Sequence, residues 1–80
     1  MENFDHKMKI VVKYTQERLC PGAFMMYQPD FITIAFFDGS GNLNVLADVK
    51  HTGDSMQTFS QLYAQINEKI RMQRHYGREM

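Results

Sequence analysis

Apolar positions along this 80-residue chain repeat with two different periods, and the change between them separates a sheet-forming part from a helical part. From Asp54 to Gly77 the period is helical. Met56, Phe59, Tyr63, Ile66 and Ile70 follow at steps of three and four, with Leu62 beside them, so all share one stripe. Asp54 is placed to cap the start, with Gln57 at the third helical position reaching back. Gly77 suits the left-handed residue that closes many helices. The spacing predicts one long amphipathic helix over 54–77, which requires an apolar surface to lie on.

Upstream the period is two. Met8, Ile10, Val12 and Tyr14 alternate with Lys7, Lys9, Val11 and Lys13, which predicts a half-buried strand with a lysine-bearing outer face. Met1 to His6 shows no periodicity and is expected to fray. Thr15 to Cys20 either prolongs the strand or makes a single helical turn. Cys20-Pro21-Gly22-Ala23 fits a type II turn, and Phe24 to Tyr27 a short strand. After a turn at Gln28-Pro29-Asp30-Phe31, the run Phe31 to Phe37 is apolar on both faces save Thr33, the pattern of a central strand. Asp38 to Asn42 reads as a hairpin loop. Leu43, Val45, Ala47 and Val49 then alternate with Asn44, Leu46 and Asp48.

Short turns between successive strands favour antiparallel neighbours. The expected fold is therefore α+β: one domain over 1–80, a four-stranded antiparallel meander (β-β-β-β) over 7–49, and one long C-terminal helix packed on one face. The stripe of that helix would bury against Met8, Ile10, Val12, Leu43, Val45, Val49 and one set from Phe31 to Phe37. A single helix covers a single face, so Val11, Phe31, Phe37 and Leu46 are expected on the other, a dimer or partner face.

Composition sharpens that expectation. A domain of this size draws only ~3–5 kcal/mol from its core, and small domains supplement it with disulfides, metals or a second subunit. Cys20 is the only cysteine, which excludes an intrachain disulfide and a thiolate zinc site. Self-association remains, and a homodimer is expected. No apolar run approaches the ~18 residues of a membrane span. With an acidic, polar start, this points to a soluble cytoplasmic protein with no membrane partner. Net charge is zero, which counts against wholesale attraction to nucleic acid. Its distribution is uneven: Lys69, Arg71, Arg74 and Arg78 gather in the last third against Glu68 and Glu79.

Candidate chemistry reduces mostly to structure. Gly39-Ser40-Gly41 joins two strands instead of opening a helix, so it is a turn and not a phosphate cradle. Asp38, Ser40 and Asn42 match the first calcium-loop offsets, but Leu43 stands where glycine is required and no glutamate closes the loop. His51, Asp54 and Ser55 supply the residue types of a serine triad, crowded into a strand–helix junction where Asp and Ser ordinarily cap. His6, His51 and His75 lack metal-ligand spacing. No catalytic set, metal or cofactor is expected.

The far end of the helix has more character. Arg71, Arg74 and Arg78 project within a narrow arc beside His75, while Met72 and Tyr76 pair off the core stripe. Cations there complement the helix dipole, yet Arg, Tyr and Met are also types enriched at interfaces. The expected function is a small non-enzymatic binding protein acting stoichiometrically on a larger protein or protein–nucleic acid complex. The alternative is a nucleic-acid-binding regulator using the basic helix end. In size and order of elements the chain resembles some small phage proteins that inhibit host defences, such as anti-CRISPR proteins. That resemblance implies a stoichiometric inhibitor working in the host cytoplasm.

Overall fold

The first element is a helix. In the computed structural model, α1 spans Glu2–Arg18, where alternation predicts a frayed end and a strand. Its buried face explains why. Phe4, Met8, Val11 and Thr15 stand at steps of four, three and four; Met8, Val11 and Thr15 are buried and Phe4 packs partly against them. The buried Thr15 hydroxyl donates to the Val11 carbonyl at 2.8 Å, so a polar residue sits on the core stripe without an unmet hydrogen bond. Tertiary burial thus overrides the strand preference of Ile10-Val11-Val12. Ile10, expected in the core, is exposed, and Val12 is only half-buried. The structure describes the backbone of residues 2–51 and 53–79 and the side chains of 4–51 and 53–73.

Three strands follow: β1 (Phe24–Tyr27), β2 (Phe31–Phe37) and β3 (Leu43–Lys50), then α2 (Ser55–Glu79). The expected four-stranded meander with one helix is therefore corrected to a three-stranded antiparallel sheet, order β1-β2-β3, flanked by two helices. The order of elements behind the likeness to small phage inhibitors is not the order of this chain. One of two turns departs from its sequence signal and the other follows it. Ala23 N–H bonds the Cys20 carbonyl at 3.1 Å, so the turn forms, but Gly22 does not take the positive φ of type II. In the β2–β3 loop, Gly41 does take a positive φ of 83°, closing a turn in which its N–H bonds the Asp38 carbonyl.

Register decides which face each side chain occupies. Ile32 pairs with Val49 and Ile34 with Ala47, but Ala35 pairs with Val45, leaving Leu46 as an extra residue. That bulge turns the expected alternation over halfway along β3. Ala47 and Val49 face the helices and are buried. Leu43 and Val45, expected beside them, are exposed, while Leu46, expected on the open face, packs against the core.

The helix α2 starts as its sequence indicates. The Asp54 carboxylate accepts from the N–H groups of Met56 and Gln57, each at 3.1 Å. Leu62 and Ile66 are fully buried and Phe59, Tyr63 and Ile70 pack partly against the core, whereas Met56 at the head of the stripe is exposed. The helical backbone continues through Gly77 to Glu79. Contact between the helices is aromatic: Tyr14 of α1 lies 4.6 Å from Tyr63 of α2, and within α2 Phe59 lies 5.0 Å from Tyr63, centroid to centroid. The Tyr14 hydroxyl donates to Asn67.

Ile66→Ala is expected to cost about 2–5 kcal/mol, the range for truncating a fully buried aliphatic side chain. Met56→Ala, at the exposed end of the same stripe, should change stability by less than about 0.5 kcal/mol. Denaturant melts of the two variants check this directly.

Candidate interaction surfaces

Both helices pack on one side of the sheet. The other side presents Phe24 and Met26 from β1, Phe31 and Phe37 from β2, and Leu43 and Val45 from β3, while Thr33 and Ala35 lie on the same side but are buried between their neighbours. Phe24 and Phe37 stack, with ring centroids 5.5 Å apart and planes 19° from parallel. Phe37 is 62% exposed, Val45 50%, Leu43 45% and Phe31 40%. Single exposed apolar side chains are ordinary, but Phe37, Leu43 and Val45 stand next to one another and to Phe24 and form one apolar patch, with Phe31 apart from it at the other end of β2. At its far end Thr33 donates to the Asp48 carboxylate at 2.7 Å, with Lys50 nearby in register opposite Phe31.

Of the residues expected on this face, Phe31 and Phe37 are on it. Val11 is not: it belongs to α1 and is fully buried against the core. Leu46 is turned inward by the bulge. Sequence reasoning missed Phe24, Met26, Leu43 and Val45; the first two follow from the pairing of β1 with β2, and the last two only from the bulge, which leaves no mark in the alternation.

At the basic end of α2, Arg71 is exposed and pairs with Glu68 one turn back, and Met72 is exposed at 43%. The side chains of Arg74, His75, Tyr76 and Arg78 lie outside the described residues. An exposed ion pair of this kind contributes little to stability.

The strand–helix junction is built for capping. Asp54 is engaged with the start of α2 as above. Thr58 donates its hydroxyl to the Asp54 carbonyl at 3.0 Å, and the Thr58 hydroxyl oxygen in turn accepts from Nδ1 of His51 at 2.9 Å. His51 also lies 5.0 Å from the Phe4 ring, over a cleft of about 330 Å³ that Asp5 and Ser55 share. His51 and Asp54 are thus held by backbone and threonine contacts, not aligned on Ser55 as a triad. Among the described residues no group of three or more His, Cys, Asp or Glu could hold a metal ion, and no helix is long and apolar enough to cross a membrane.

The loop with calcium-like spacing is an Asx turn. The Asp38 carboxylate accepts from the N–H of Ser40 at 2.9 Å and of Asn42 at 3.0 Å, and from the Asn44 amide at 3.2 Å. These donors, the Asn42 N–H foremost, hold its pKa below the ordinary aspartate value. The chain matches no protein-family model, no curated protein and no solved structure.

A lowered folded-state pKa contributes stability that is present above the ordinary aspartate value and is lost as pH falls through the lowered one. The protection factors of the Gly41 and Asn42 amides, exchange measured relative to the intrinsic rate, are therefore expected to fall on acidification below the ordinary aspartate range. In Asp38→Ala they should already be low at neutral pH and stay unchanged on acidification.

Proposed function

We propose that this chain is a non-enzymatic binding protein that works by surface contact, pairing with a second copy through the open face of its sheet and acting stoichiometrically on a larger macromolecule. The observation that carries this reading is the apolar patch formed by Phe24, Phe37, Leu43 and Val45 on the open face. Removing such a face from water yields about 25 cal/mol per Å², and a domain with so small a core gains proportionally from it.

A second copy suits the face for two reasons. The surface is apolar at its centre and carries one acid and one base at its margin, Asp48 and Lys50, so the face is close to self-complementary in charge. Its residues come from three paired strands and are already ordered, so association does not require a segment to fold first. A two-fold pairing of identical faces is the commonest symmetry for such contacts and closes on itself, which keeps the assembly finite.

Sedimentation equilibrium at micromolar concentration is expected to give the mass of two chains. Phe37→Asp, at a position exposed in the single chain, should give the mass of one chain with an unchanged far-ultraviolet circular dichroism spectrum. A wild-type mass of one chain without binding of a hydrophobic dye, or a Phe37→Asp variant that still pairs, would contradict the reading.

A further inference from the structure

The two edges of the sheet are treated differently. On β3, Asp48 turns its N–H and C=O away from β2, and Gln65 of α2 meets both: its carbonyl accepts from Asp48 N–H at 2.9 Å and its amide donates to Asp48 C=O at 3.2 Å. A side-chain amide thus stands where a further strand would pair. On β1 the hairpin bond from Gln28 N–H to the Phe31 carbonyl fixes the phase of the ladder. Antiparallel alternation then points the N–H and C=O of Met26 and Phe24 toward β2 and those of Met25 and Tyr27 outward. Among the described residues nothing bonds these outward groups. The Gln16 amide bonds the Ala23 carbonyl at 2.9 Å, tying α1 to the start of β1 and stopping there.

Beside that bare edge α1 stands off the sheet, leaving a groove of about 430 Å³. Met8, Val12 and Met25 give it an apolar floor, and Lys9, Lys13 and Tyr27 stand around it. Lys9 and Lys13 lie one helical turn apart, and among the described residues neither is within salt-bridge distance of a carboxylate. Backbone groups without partners, an apolar floor and two ammonium groups occur together.

We propose that the outer edge of β1 receives an extended segment of a partner protein, which adds as a fourth strand with acidic side chains directed into the groove under α1. Strand addition supplies main-chain hydrogen bonds for affinity and alternate side-chain sites for specificity. Side chains on the helix side of the added strand lie over Met8, Val12 and Met25 and meet Lys9 and Lys13. Glutamate fits that position, with a methylene stem against the floor and a carboxylate at the lysines. Side chains on the opposite side continue the surface of Phe24 and Met26 and are apolar. The recognised segment therefore alternates acidic and apolar residues. A second copy of this chain is disfavoured at this edge, because a β1–β1 pairing would bring two Lys9/Lys13 pairs to one junction. The site is distinct from the open face, and a pairing of open faces leaves it accessible.

The probe is a capped seven-residue peptide alternating valine and glutamate, titrated into the isotope-labelled full chain by NMR. The Met25 and Tyr27 amides are expected to shift and to gain protection from exchange. Affinity should fall about tenfold or more in Lys9→Glu/Lys13→Glu and return when the peptide carries lysine in place of glutamate. Lys9→Gln/Lys13→Gln, which keeps helix propensity, should weaken the glutamate peptide without favouring the lysine one. Two further peptides are N-methylated at the valines or at the glutamates, and one of the two should fail to bind. Unchanged binding of both would mean the groove grips side chains without strand pairing, and would overturn the proposal. So would no binding at millimolar peptide, or shifts centred on Leu43 and Val45. Shifts at Met25 and Tyr27 that depend on chain concentration alone would put a second copy on the edge and equally overturn it.

Discussion

A three-stranded sheet has two faces, and this chain has helices for one. Everything else in the molecule follows from that asymmetry. Ile32, Ile34, Ala47 and Val49 meet Met8, Val11, Leu62 and Ile66 in a single core. The helices close over that core through Tyr14, Phe59 and Tyr63, with Lys7 above the Phe59 ring at 5.8 Å and Arg18 above Tyr14 at 5.3 Å. Among the described residues the buried polar side chains are Thr15 and Thr58 on the covered side and Thr33 on the open one, and each has a hydrogen-bond partner. The covered side is thus fully satisfied, and the apolar surplus lies on the other side.

The bulge at Leu46 is what allocates that surplus. Without it, Leu43 and Val45 would follow Ala47 and Val49 toward the helices, and the open face would lose two of its largest exposed side chains. With it, Val45 opposes Ala35 and Leu43 opposes Phe37, extending the Phe24–Phe37 stack across all three strands. A bulge both increases twist and re-aims side chains, and here it converts a conventional alternating strand into one that serves the core at one end and solvent at the other.

The same features mark where sequence reasoning reaches its limit. The long helix was legible because its stripe, its Asp54 cap and its uninterrupted length agree, and Leu62 and Ile66 are buried as the spacing requires. The central strand was legible because Phe31 to Phe37 is apolar throughout. The first helix was misread, since Lys7 to Tyr14 satisfies a period of two as well as a helical one. Only Phe4 and Thr15, one inside a polar stretch and the other itself polar, complete the helical stripe. The open face was legible in part: its existence follows from counting helices, and Phe31 and Phe37 from the central strand. Val11 and Leu46 were assigned to it by an alternation that α1 removes in one case and the bulge inverts in the other. The bare edge of β1 had no signal of its own, because the phase of a hydrogen-bond ladder is set by the turn and not by side chains.

One face of the sheet is closed by the helices, and the central proposal is that a second chain closes the other. Methyl NMR with a soluble paramagnetic probe, recorded across a dilution series, tests it most directly. The account predicts that Leu43 and Val45 methyl signals broaden strongly in dilute samples and become shielded as concentration rises, while those of Ile34, Val49, Leu62 and Ile66 stay shielded throughout. Leu43 and Val45 signals that are shielded at every dilution, or broadened at every concentration, would contradict it.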